Sequence, residues 1–420
     1  MTLFSFVLLN TIIIVSLAGL TFVFFSRFRR IPEPSLSREQ LPFVSVIVPA
    51  RNEELKIGRC LESLAKQTYQ RYEIIVVDDR SVDSTASIIQ QIANRYPRIN
   101  FIKGRETPNG WIGKCNALVQ AVPHASGEWL LFTDADTCHT PDSLRYAVDY
   151  AITSGTDLVS FMPVQELGSF WERVVMPVLL GSFLVGDPFN TINDPEDDRA
   201  YAYGQYILVK REVYEAVGGH FAVKDQILDD IMLARTVKGQ GYQLTAADGQ
   251  PLYSVRMYQN LETLWYGWTK NAYALIECNP GYLAIILSLI NVSILGPFLQ
   301  TSLVLSAIAS GEAPANLPWI VICIAIEFGM LAGWYQRTSR HYVGVNWYHF
   351  FLLPLGSLTV TALYLTSAYL IHSGNNVLWK GRRYRVNSHK TVEPLPEPLV
   401  FEPVIEKALA KVSSHEPIES

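Results

Sequence analysis

The sequence repeats one arrangement, in which a short apolar run of strand type ends in residues that carry carboxylates. Three runs share it: residues 44–49 before Glu53, residues 73–77 before Asp78 and Asp79, and residues 129–133 before Asp134 and Asp136. A fourth acidic pair, Asp229 and Asp230, follows later in the chain. Ligands of open α/β sheets bind outside the carboxyl ends of the strands. The pattern therefore predicts a site for a metal and a polar, phosphate-bearing ligand at one edge of a sheet.

From residue 44 to about residue 159, strand-like and helix-like segments alternate, which is typical of an α/β nucleotide-binding half-domain with right-handed crossovers. The spacing predicts a helix from Asn52, another from about Ser84 and a third over residues 114–122. The first strand is followed by the letters PARNEE and not by the glycine-rich turn of dinucleotide-binding folds. This argues against a nicotinamide or flavin enzyme.

The composition indicates a membrane protein without a nucleic-acid partner. Hydrophobic residues make up 49% of the chain and charged residues 17%, whereas soluble domains average about 25% charged residues. The net charge of -5 is small and spread along the chain, which argues against a nucleic-acid-binding surface. The five cysteines are odd in number and lack CxxC spacing, which favours reduced thiols in a cytosolic setting over a structural disulfide.

Four apolar segments are candidates for membrane spans: residues 3–25, 282–309, 317–335 and 347–371. Arg27, Arg29 and Arg30 follow the first segment. The positive-inside rule then predicts a multi-pass protein of the cell membrane whose N-terminus is outside and whose central domain is cytoplasmic. Because no small-residue cleavage site follows the first segment, we expect a retained anchor rather than a signal peptide. In the second segment, Gly296 and Pro297 predict one kinked helix rather than a hairpin.

These patterns divide the chain into an anchor (1–30), a linker (31–43), a cytosolic domain (44–281), a C-terminal transmembrane region (282–372) and a basic, then disordered tail (373–420). The apolar stretch 170–185 is too short to span a bilayer and predicts an interfacial helix, with a buried core helix as a nearly equal alternative. If all four segments crossed, the basic residues 380–383 would lie outside, against the positive-inside rule. We therefore expect that one segment does not cross, either the last or the first half of residues 282–309.

The acidic motifs suit three kinds of chemistry, each with a structural alternative. Asp134 and Asp136 can together hold a hard divalent cation that shares its ligands with substrate phosphates, or they can be a solvated pair that caps the following helix. Asp79 can accept hydrogen bonds from a ribose or a base, or it can belong to an N-cap turn. Asp229 and Asp230 can supply a general base, or they can simply begin a helix at its positive end.

The order of these motifs resembles that of the family 2 glycosyltransferases, whose nucleotide-sugar domain has the GT-A fold. The similarity covers Val44 to about Tyr273 and is carried by VSVIVPARNEE, EIIVVDDRS, GKCNAL, LLFTDAD and LDDIMLA, in that order. Within the family, the chain most resembles membrane enzymes that glycosylate lipids, such as ceramide glucosyltransferase and the hopanoid- and carotenoid-associated glycosyltransferases. The resemblance implies a GT-A domain of the α/β class between N-terminal and C-terminal transmembrane helices, with Mg²⁺ or Mn²⁺ as cofactor.

The resemblance also implies roles for individual residues. Asp230, with Asp229, would be the catalytic base, and Asp136, with Asp134, would hold the metal on the diphosphate. The donor side would comprise Pro49, Ala50, Arg51, Glu53, Asp79, Lys114 and Asp134. The acceptor side would comprise Gly204, Gln205, Trp268 and Lys270. The Q/R-x-x-R-W motif of processive synthases and ceramide glucosyltransferase is replaced here by the letters WYGWTKN, which weighs against polymer synthesis.

The sequence thus predicts an inverting glycosyltransferase that moves a sugar from a nucleotide-sugar donor, expected to be a UDP-sugar, to a hydroxyl of a membrane lipid. One base without a second nucleophilic carboxylate favours a single direct displacement, and hence inversion at the sugar carbon. Two alternatives remain: a processive polysaccharide synthase, and a membrane protein that binds nucleotide sugars without catalysis.

Overall fold

The computed structural model describes residues 3–26, 31–186, 192–374, 376–386 and 391–394. Its strands are β1 (Val44–Ala50), β2 (Tyr72–Asp78), β3 (Ile99–Lys103), β4 (Trp129–Phe132), β5 (Thr137–His139), β6 (Leu158–Met162), β7 (Val164–Glu166), β8 (Ile207–Lys210), β9 (Leu244–Asp248), β10 (Tyr253–Val255), β11 (Tyr342–Val343), β12 (Asn376–Trp379), β13 (Arg382–Val386) and β14 (Val392–Pro394). Arg27, Arg29 and Arg30, on which the predicted orientation rests, lie outside the described residues.

The α-helices are α1 (Leu3–Ser26), α2 (Ile57–Ala65), α3 (Thr85–Arg95), α4 (Gly113–Ala121), α5 (Ser143–Thr153), α6 (Phe170–Gly186), α7 (Arg211–Ala216), α8 (Gly219–Ala222), α9 (Asp229–Gly239), α10 (Leu261–Leu275), α11 (Pro280–Ala309), α12 (Leu317–Thr338) and α13 (Leu353–His372). The helices expected from about Ser84 and over residues 114–122 are confirmed as α3 and α4.

Seven strands form one mixed sheet in the order β3-β2-β1-β4-β8-β6-β9. The first four are parallel to one another, whereas β8 runs antiparallel to both of its neighbours. Apolar residues fill β1 and β2, and both strands are buried along nearly their whole length, as expected for strands with both faces covered. This confirms the predicted α/β class.

The carboxyl ends of β1, β2 and β4 meet at one edge of this sheet. Ala50 pairs with Asp78 in the β1–β2 register, and the backbone N–H of Asp79 donates to the Ala50 carbonyl at 2.7 Å. After β4, the backbone N–H of Thr133 donates to the Ile47 carbonyl at 3.1 Å. The three loops that carry the acidic motifs therefore lie side by side.

The helix expected to begin at Asn52 begins instead at Ile57, so that prediction is wrong. Asn52 has a φ of 52°, in the left-handed region that asparagine tolerates better than most residues. Its backbone N–H donates to Ser81 Oγ at 3.0 Å, and the backbone N–H of Glu53 donates to Thr85 Oγ1 at 2.7 Å. These bonds fasten the loop after β1 to the loop after β2, and they override the local preference for a helix start.

Within the part of the chain that the structure describes, four helical segments are long and apolar enough to cross a membrane: Leu3–Thr21, Pro280–Ala309, Leu317–His341 and Trp347–His372. α11 continues through Pro297, which confirms one helix rather than a hairpin. α1 packs against α12, where the Glu327 carboxylate accepts hydrogen bonds from Asn10 Nδ2 at 3.0 Å and Thr11 Oγ1 at 2.8 Å. These bonds satisfy a buried carboxylate and join the first apolar helix to the later ones.

α6 contains the short apolar stretch that was expected either at the membrane interface or in a core. Val174 and Leu179 of this helix are buried in a cluster that includes residues of α13. Gly356 of α13 faces the Val174 carbonyl, where a Cβ atom would not fit without movement. This part of α6 is thus a packed core helix.

α13 is connected to the α/β domain at both ends. Before it, β11 pairs with β7, with Tyr342 opposite Gln165. After it, β12, β13 and β14 form a small antiparallel sheet, in which Arg382 contacts Asp79 in the loop after β2. We refer to residues 376–386 as the C-terminal hairpin. Basic residues of this segment, which was expected to be basic, contact the acidic loops; residues 395–420, expected to be disordered, lie outside the described residues.

Candidate active site

A cavity of about 1070 Å³ opens at the carboxyl ends of the strands. We call it the strand-end cavity. Every site residue predicted from the sequence except Gly204 lines it: Pro49, Ala50, Arg51, Glu53, Asp79, Lys114, Asp134, Asp136, Gln205, Asp229, Asp230, Trp268 and Lys270. The remaining walls come from α10, the start of α11 and the C-terminal hairpin.

Asp79 lies at one end of the cavity and is held by the C-terminal hairpin. The Arg382 guanidinium donates to both carboxylate oxygens, with 3.0 Å between Nη2 and Oδ1. The two residues are only 4% and 7% exposed. Burial raises the pKa of Asp79, and the hydrogen bond and charge of Arg382 oppose that rise. A charged pair of this geometry is among the stronger polar contacts in proteins.

Arg51 joins the C-terminal hairpin to the loop after β2, because its side chain donates to a backbone carbonyl in each. Its Nε donates to the Lys380 carbonyl at 2.9 Å, and its Nη1 donates to the Asp79 carbonyl at 2.8 Å. The Lys380 ammonium in turn contacts Glu53 Oε1 at 2.6 Å. The hairpin therefore contacts three of the residues that the resemblance assigns to the donor side.

Asp136 has one carboxylate oxygen without a partner among the described residues. Its Oδ2 is 3.7 Å from the Lys56 ammonium. Its Oδ1 is buried and has no hydrogen-bond partner among the described residues. Burial raises the pKa of Asp136 to about 6, although the Lys56 charge opposes the rise. Lys56, which is not among the site residues predicted from the sequence, also donates to the Met257 carbonyl at 2.9 Å.

Lys114 connects two acidic motifs that are far apart in the chain, those of Asp134 and Asp229. Its ammonium is 2.9 Å from Asp134 Oδ1 and 3.7 Å from Asp229 Oδ2. Although burial acts in the opposite direction, the charges of Asp134, Asp229 and Asp230 raise the pKa of Lys114 well above its usual value. The lysine therefore stays a cation and brings Asp134 and Asp229 to one point.

Asp230 lies in the first turn of α9 and is held by backbone donors. Its Oδ2 accepts from the Gly204 N–H at 2.9 Å, and its Oδ1 accepts from the Ile231 N–H at 2.9 Å. Burial, followed by the charge of Asp229, raises the pKa of Asp230 to about 6. A carboxylate with this pKa is still largely ionised at neutral pH and can accept a proton.

Gly204 lies behind Asp230 rather than on the cavity wall. A Cβ atom at this position would be 2.8 Å from Asp230 Oδ2 and 3.1 Å from Lys114 Nζ. The missing side chain allows the close approach of backbone, carboxylate and ammonium. Gly204 thus contacts the predicted base directly, whereas the sequence placed it with the acceptor.

Trp268 and Lys270 bring α10 to the opposite wall. The Lys270 ammonium is 2.9 Å from the centre of the Trp379 ring, which belongs to the C-terminal hairpin. Burial lowers the pKa of Lys270 to about 7. Cation and ring attract each other in this geometry, so that the hairpin also closes over the α10 side of the cavity.

The sequence did not identify the hairpin as part of this site. Trp379, Lys380, Arg382 and Tyr384 all line the cavity, and the Tyr384 hydroxyl accepts from the Gly113 N–H at 3.4 Å. The sequence does contain a signal for this contact. The basic run at residues 380–385 bears on membrane topology, but its positive charge is also complementary to a site rich in carboxylates.

The carboxylates of this site fit a divalent cation whose remaining coordination positions are filled by a bound substrate. Within the described residues, no group of three His, Cys, Asp or Glu side chains is arranged to hold a metal. Mg²⁺ is usually bound by one or two carboxylates together with substrate phosphates, and Asp134 and Asp136 supply two such carboxylates. The unpartnered Asp136 Oδ1 is the kind of oxygen that a cation would satisfy.

This mixed sheet, with carboxylates at the ends of its parallel strands, agrees with the family assignment made by sequence comparison. Residues 45–218 match the family model Glycosyl transferase family 2. This part of the chain is a family 2 glycosyltransferase domain. Among individual proteins, the chain is 30% identical over 231 residues to 4,4'-diaponeurosporenoate glycosyltransferase of Staphylococcus aureus strain USA300, and the match covers 54% of this chain and 60% of that relative.

Two solved structures are similar in three dimensions. The mannosyltransferase PcManGT from Pyrobaculum calidifontis, in complex with GDP-Man and Mn²⁺, is 19% identical, covers 85% of this chain and 99% of its own, and has a TM-score of 0.49. Glucosyl-3-phosphoglycerate synthase from Mycobacterium tuberculosis, in complex with Mn²⁺, UDP and glucosyl-3-phosphoglycerate, is 20% identical, covers 56% and 80%, and has a TM-score of 0.38.

Proposed function

We propose that the protein is a membrane-bound, inverting glycosyltransferase that moves a sugar from a nucleotide-sugar donor to a hydroxyl of a membrane lipid. One observation carries the proposal: carboxylates from separate segments of the chain, Asp79, Asp134, Asp136, Asp229 and Asp230, line a single cavity that also reaches an apolar helix. The relative from Staphylococcus aureus, named for a carotenoid-related acceptor, supports the same acceptor class.

The donor nucleoside would bind between the loops after β1 and β2. Ala50, Glu53 and Asp79 supply acceptors and contact surface there, beside Pro49 and Arg51. Because Arg382 engages both Asp79 oxygens, the nucleoside must share this carboxylate with the guanidinium or replace it. We take a UDP-sugar as the first donor to test.

The diphosphate would lie beside Asp134 and Asp136. These two carboxylates would hold Mg²⁺ or Mn²⁺, which, when bound, offsets the negative charge that builds on the departing diphosphate. Lys114 adds a fixed positive charge at Asp134, and we infer that it orients the phosphates. The sugar carbon is thereby directed toward Asp230.

Asp230 would act as the general base. It takes the proton of the acceptor hydroxyl while the acceptor oxygen bonds to the sugar carbon and the bond from that carbon to the diphosphate breaks. The nucleoside diphosphate leaves with the bonding electron pair, and the sugar carbon inverts. Positioned bases typically contribute about 10²–10⁴-fold to rate. Asp229, held by Lys114, is the neighbour that supports the raised pKa of Asp230.

The acceptor would approach from the side of α10. Gln205, Trp268 and Lys270 line this part of the cavity, and Trp268 has the amphipathic character that suits the level of lipid head groups. We expect one sugar per acceptor rather than a chain, because the aromatic-arginine motif of processive synthases is replaced in α10.

We propose that the α/β domain and the C-terminal hairpin lie on the cytoplasmic side. Both ends of α13 lead back to this domain, so α13 would lie in the membrane without crossing it. The basic residues of the hairpin would then be inside, as the positive-inside rule requires. This agrees with the expectation that one apolar segment does not cross.

The direct test is a donor screen on the full chain in detergent. Nucleoside diphosphate release would be measured with UDP- and GDP-sugars, Mg²⁺ or Mn²⁺ and an extract of membrane lipids, and the lipid products would be analysed by mass spectrometry. We expect metal-dependent release together with a lipid that is heavier by one sugar. A ladder of sugar additions would favour a processive synthase, and nucleotide binding without release would favour a binding protein.

A further inference from the structure

The strand-end cavity extends beyond the carboxylates to a wall formed by apolar side chains of three helices. We define this helix wall as Leu180 of α6, Leu275 and Ile276 at the end of α10, and Tyr282 and Ile286 of α11; all five line the cavity. α6 contacts both α10 and α11, so it packs against both of the other helices that carry the wall. The cavity is therefore rich in carboxylates at the strand ends and apolar at the helix wall.

α11 places part of this wall at the surface that faces lipid. It is long and apolar enough to cross a membrane, and Tyr282 in its first turn is 54% exposed. Ile285 is 56% exposed and faces outward, whereas the next residue, Ile286, is partly buried and lines the cavity. The surface changes from lipid-facing to cavity-lining between two adjacent residues.

The size of the cavity leaves room for two ligands. Its volume of about 1070 Å³ is at the upper end of the about 300–1,000 Å³ that small-molecule sites occupy. A nucleotide sugar at the strand ends would use the carboxylates and lysines. The helix wall offers few polar groups to a nucleotide sugar. Its side chains suit an apolar ligand instead.

We infer that the helix wall is a lateral portal, through which the apolar chain of an acceptor amphiphile passes from the bilayer while its polar end reaches Asp230. This inference rests on the proposed function. The occupant is a membrane lipid with a terminal hydroxyl on an apolar chain. Such a molecule keeps its chain out of water throughout the reaction, because burial of apolar surface is favourable at about 25 cal/mol per Å². A water-soluble acceptor would gain nothing from this wall.

The test compares two neighbouring substitutions in the full chain, reconstituted in phosphatidylcholine–phosphatidylglycerol vesicles that contain hexadecanol bearing a diazirine group. After illumination, labelled peptides would be identified by mass spectrometry. We expect label on the helix wall of the wild type and of Ile285→Trp. In Ile286→Trp the added ring fills the portal, and we expect label there to fall about ten-fold, which corresponds to about 1.4 kcal/mol. Leu180→Trp narrows the same portal from α6 and should have the same effect.

Release of nucleoside diphosphate to water in the absence of acceptor provides the independent readout. It should be unchanged in Ile286→Trp and Leu180→Trp, which also shows that both variants fold. Equal labelling of the wall in Ile285→Trp and Ile286→Trp would overturn the portal, as would label confined to Ile285 and other outward-facing positions. A wild type that is labelled at the wall but neither binds nor hydrolyses any nucleotide sugar would contradict the proposed function and leave the portal standing.

Discussion

Arg382 and Asp79 are 303 residues apart in the chain and meet in a buried ion pair with two hydrogen bonds. Asp79 follows the second strand of the sheet, and Arg382 belongs to the hairpin after the last apolar helix. The pair joins the segment after the last apolar helix to the loop that we propose binds the donor. Loading of the donor and the position of the hairpin are therefore expected to depend on each other.

Replacement of Arg382 tests this dependence. In Arg382→Ala both Asp79 oxygens become available to a nucleoside, and we expect UDP affinity to rise about ten-fold, since a hydrogen bond to a charged group contributes about 1.5–3 kcal/mol. Arg385→Ala changes an exposed arginine of the same strand and should leave affinity unchanged. Calorimetric titration with UDP measures both. A loss of affinity in Arg382→Ala alone would mean that the guanidinium binds the nucleotide itself.

Asp136→Ala should abolish transfer that depends on a divalent metal, while the protein still folds. The substitution removes a buried oxygen that has no partner among the described residues. We expect turnover to fall at least about 100-fold, because a metal contributes several kcal/mol to such reactions. Nucleoside diphosphate release would be measured across a Mn²⁺ titration and with EDTA. Asp142→Ala, at an exposed aspartate outside the cavity, serves as control, and near-wild-type turnover of Asp136→Ala in EDTA would remove the metal from the proposal.

Asp230→Asn should retain donor binding and lose transfer by about 10²–10⁴-fold, the usual contribution of a positioned base. The amide keeps the shape of the side chain but cannot accept the proton. Calorimetry with the nucleotide tests the first half, and product formation tests the second. If Asp230→Asn kept its turnover and Asp229→Asn were inactive, the base would be Asp229.

The rate should also fall in acid. The pKa of Asp230 is raised to about 6, and the base acts in its ionised form, so the rate is full above this pH and is lost as the pH falls through about 6. Asp136, also near 6 because of burial, would shift metal binding in the same direction. A pH profile of kcat at saturating Mn²⁺ would separate the two contributions. If the rate stayed constant between about pH 5 and about pH 8, the base could not have a pKa of about 6.

Gly204→Ala should lower the rate without loss of nucleotide binding. The added Cβ would be 2.8 Å from Asp230 Oδ2 and 3.1 Å from Lys114 Nζ, so the base and its cation must move. We expect a fall in kcat of about ten-fold or more, since displacements of about 1 Å at a reacting group can cost about 10²-fold. Gly239→Ala, at an exposed glycine of α9 that has no positive φ and no atom within 4 Å of the added carbon, tests whether any glycine replacement has this effect. UDP affinity equal to that of the wild type would show that the donor side is intact.

Much of the fold could be predicted from local patterns. Short apolar runs such as those of β1 and β2, bounded by turn residues and rich in β-branched side chains, favour buried strands. The apolar helices followed from length and composition alone. The strand-end rule also indicated that Asp79, Asp134 and Asp136 would share one edge of the sheet. The start of α2 could not be predicted, because contacts of Asn52 and Glu53 with Ser81 and Thr85 decide it.

The chemistry of the site is legible in the amino-acid sequence, because acidic residues at strand ends and nearby apolar segments are local features. The cations that face those carboxylates are set by contacts between distant segments. Lys114 joins Asp134 to Asp229 across the chain, and the hairpin brings Arg382 to Asp79. The local sequence preferences of these residues do not predict either contact, because both contacts depend on packing between segments far apart in sequence. In the sequence, the basic run after residue 380 is only a charged stretch. In the fold it follows α13 back to the acidic loops, where burial strengthens the attraction between Arg382 and Asp79.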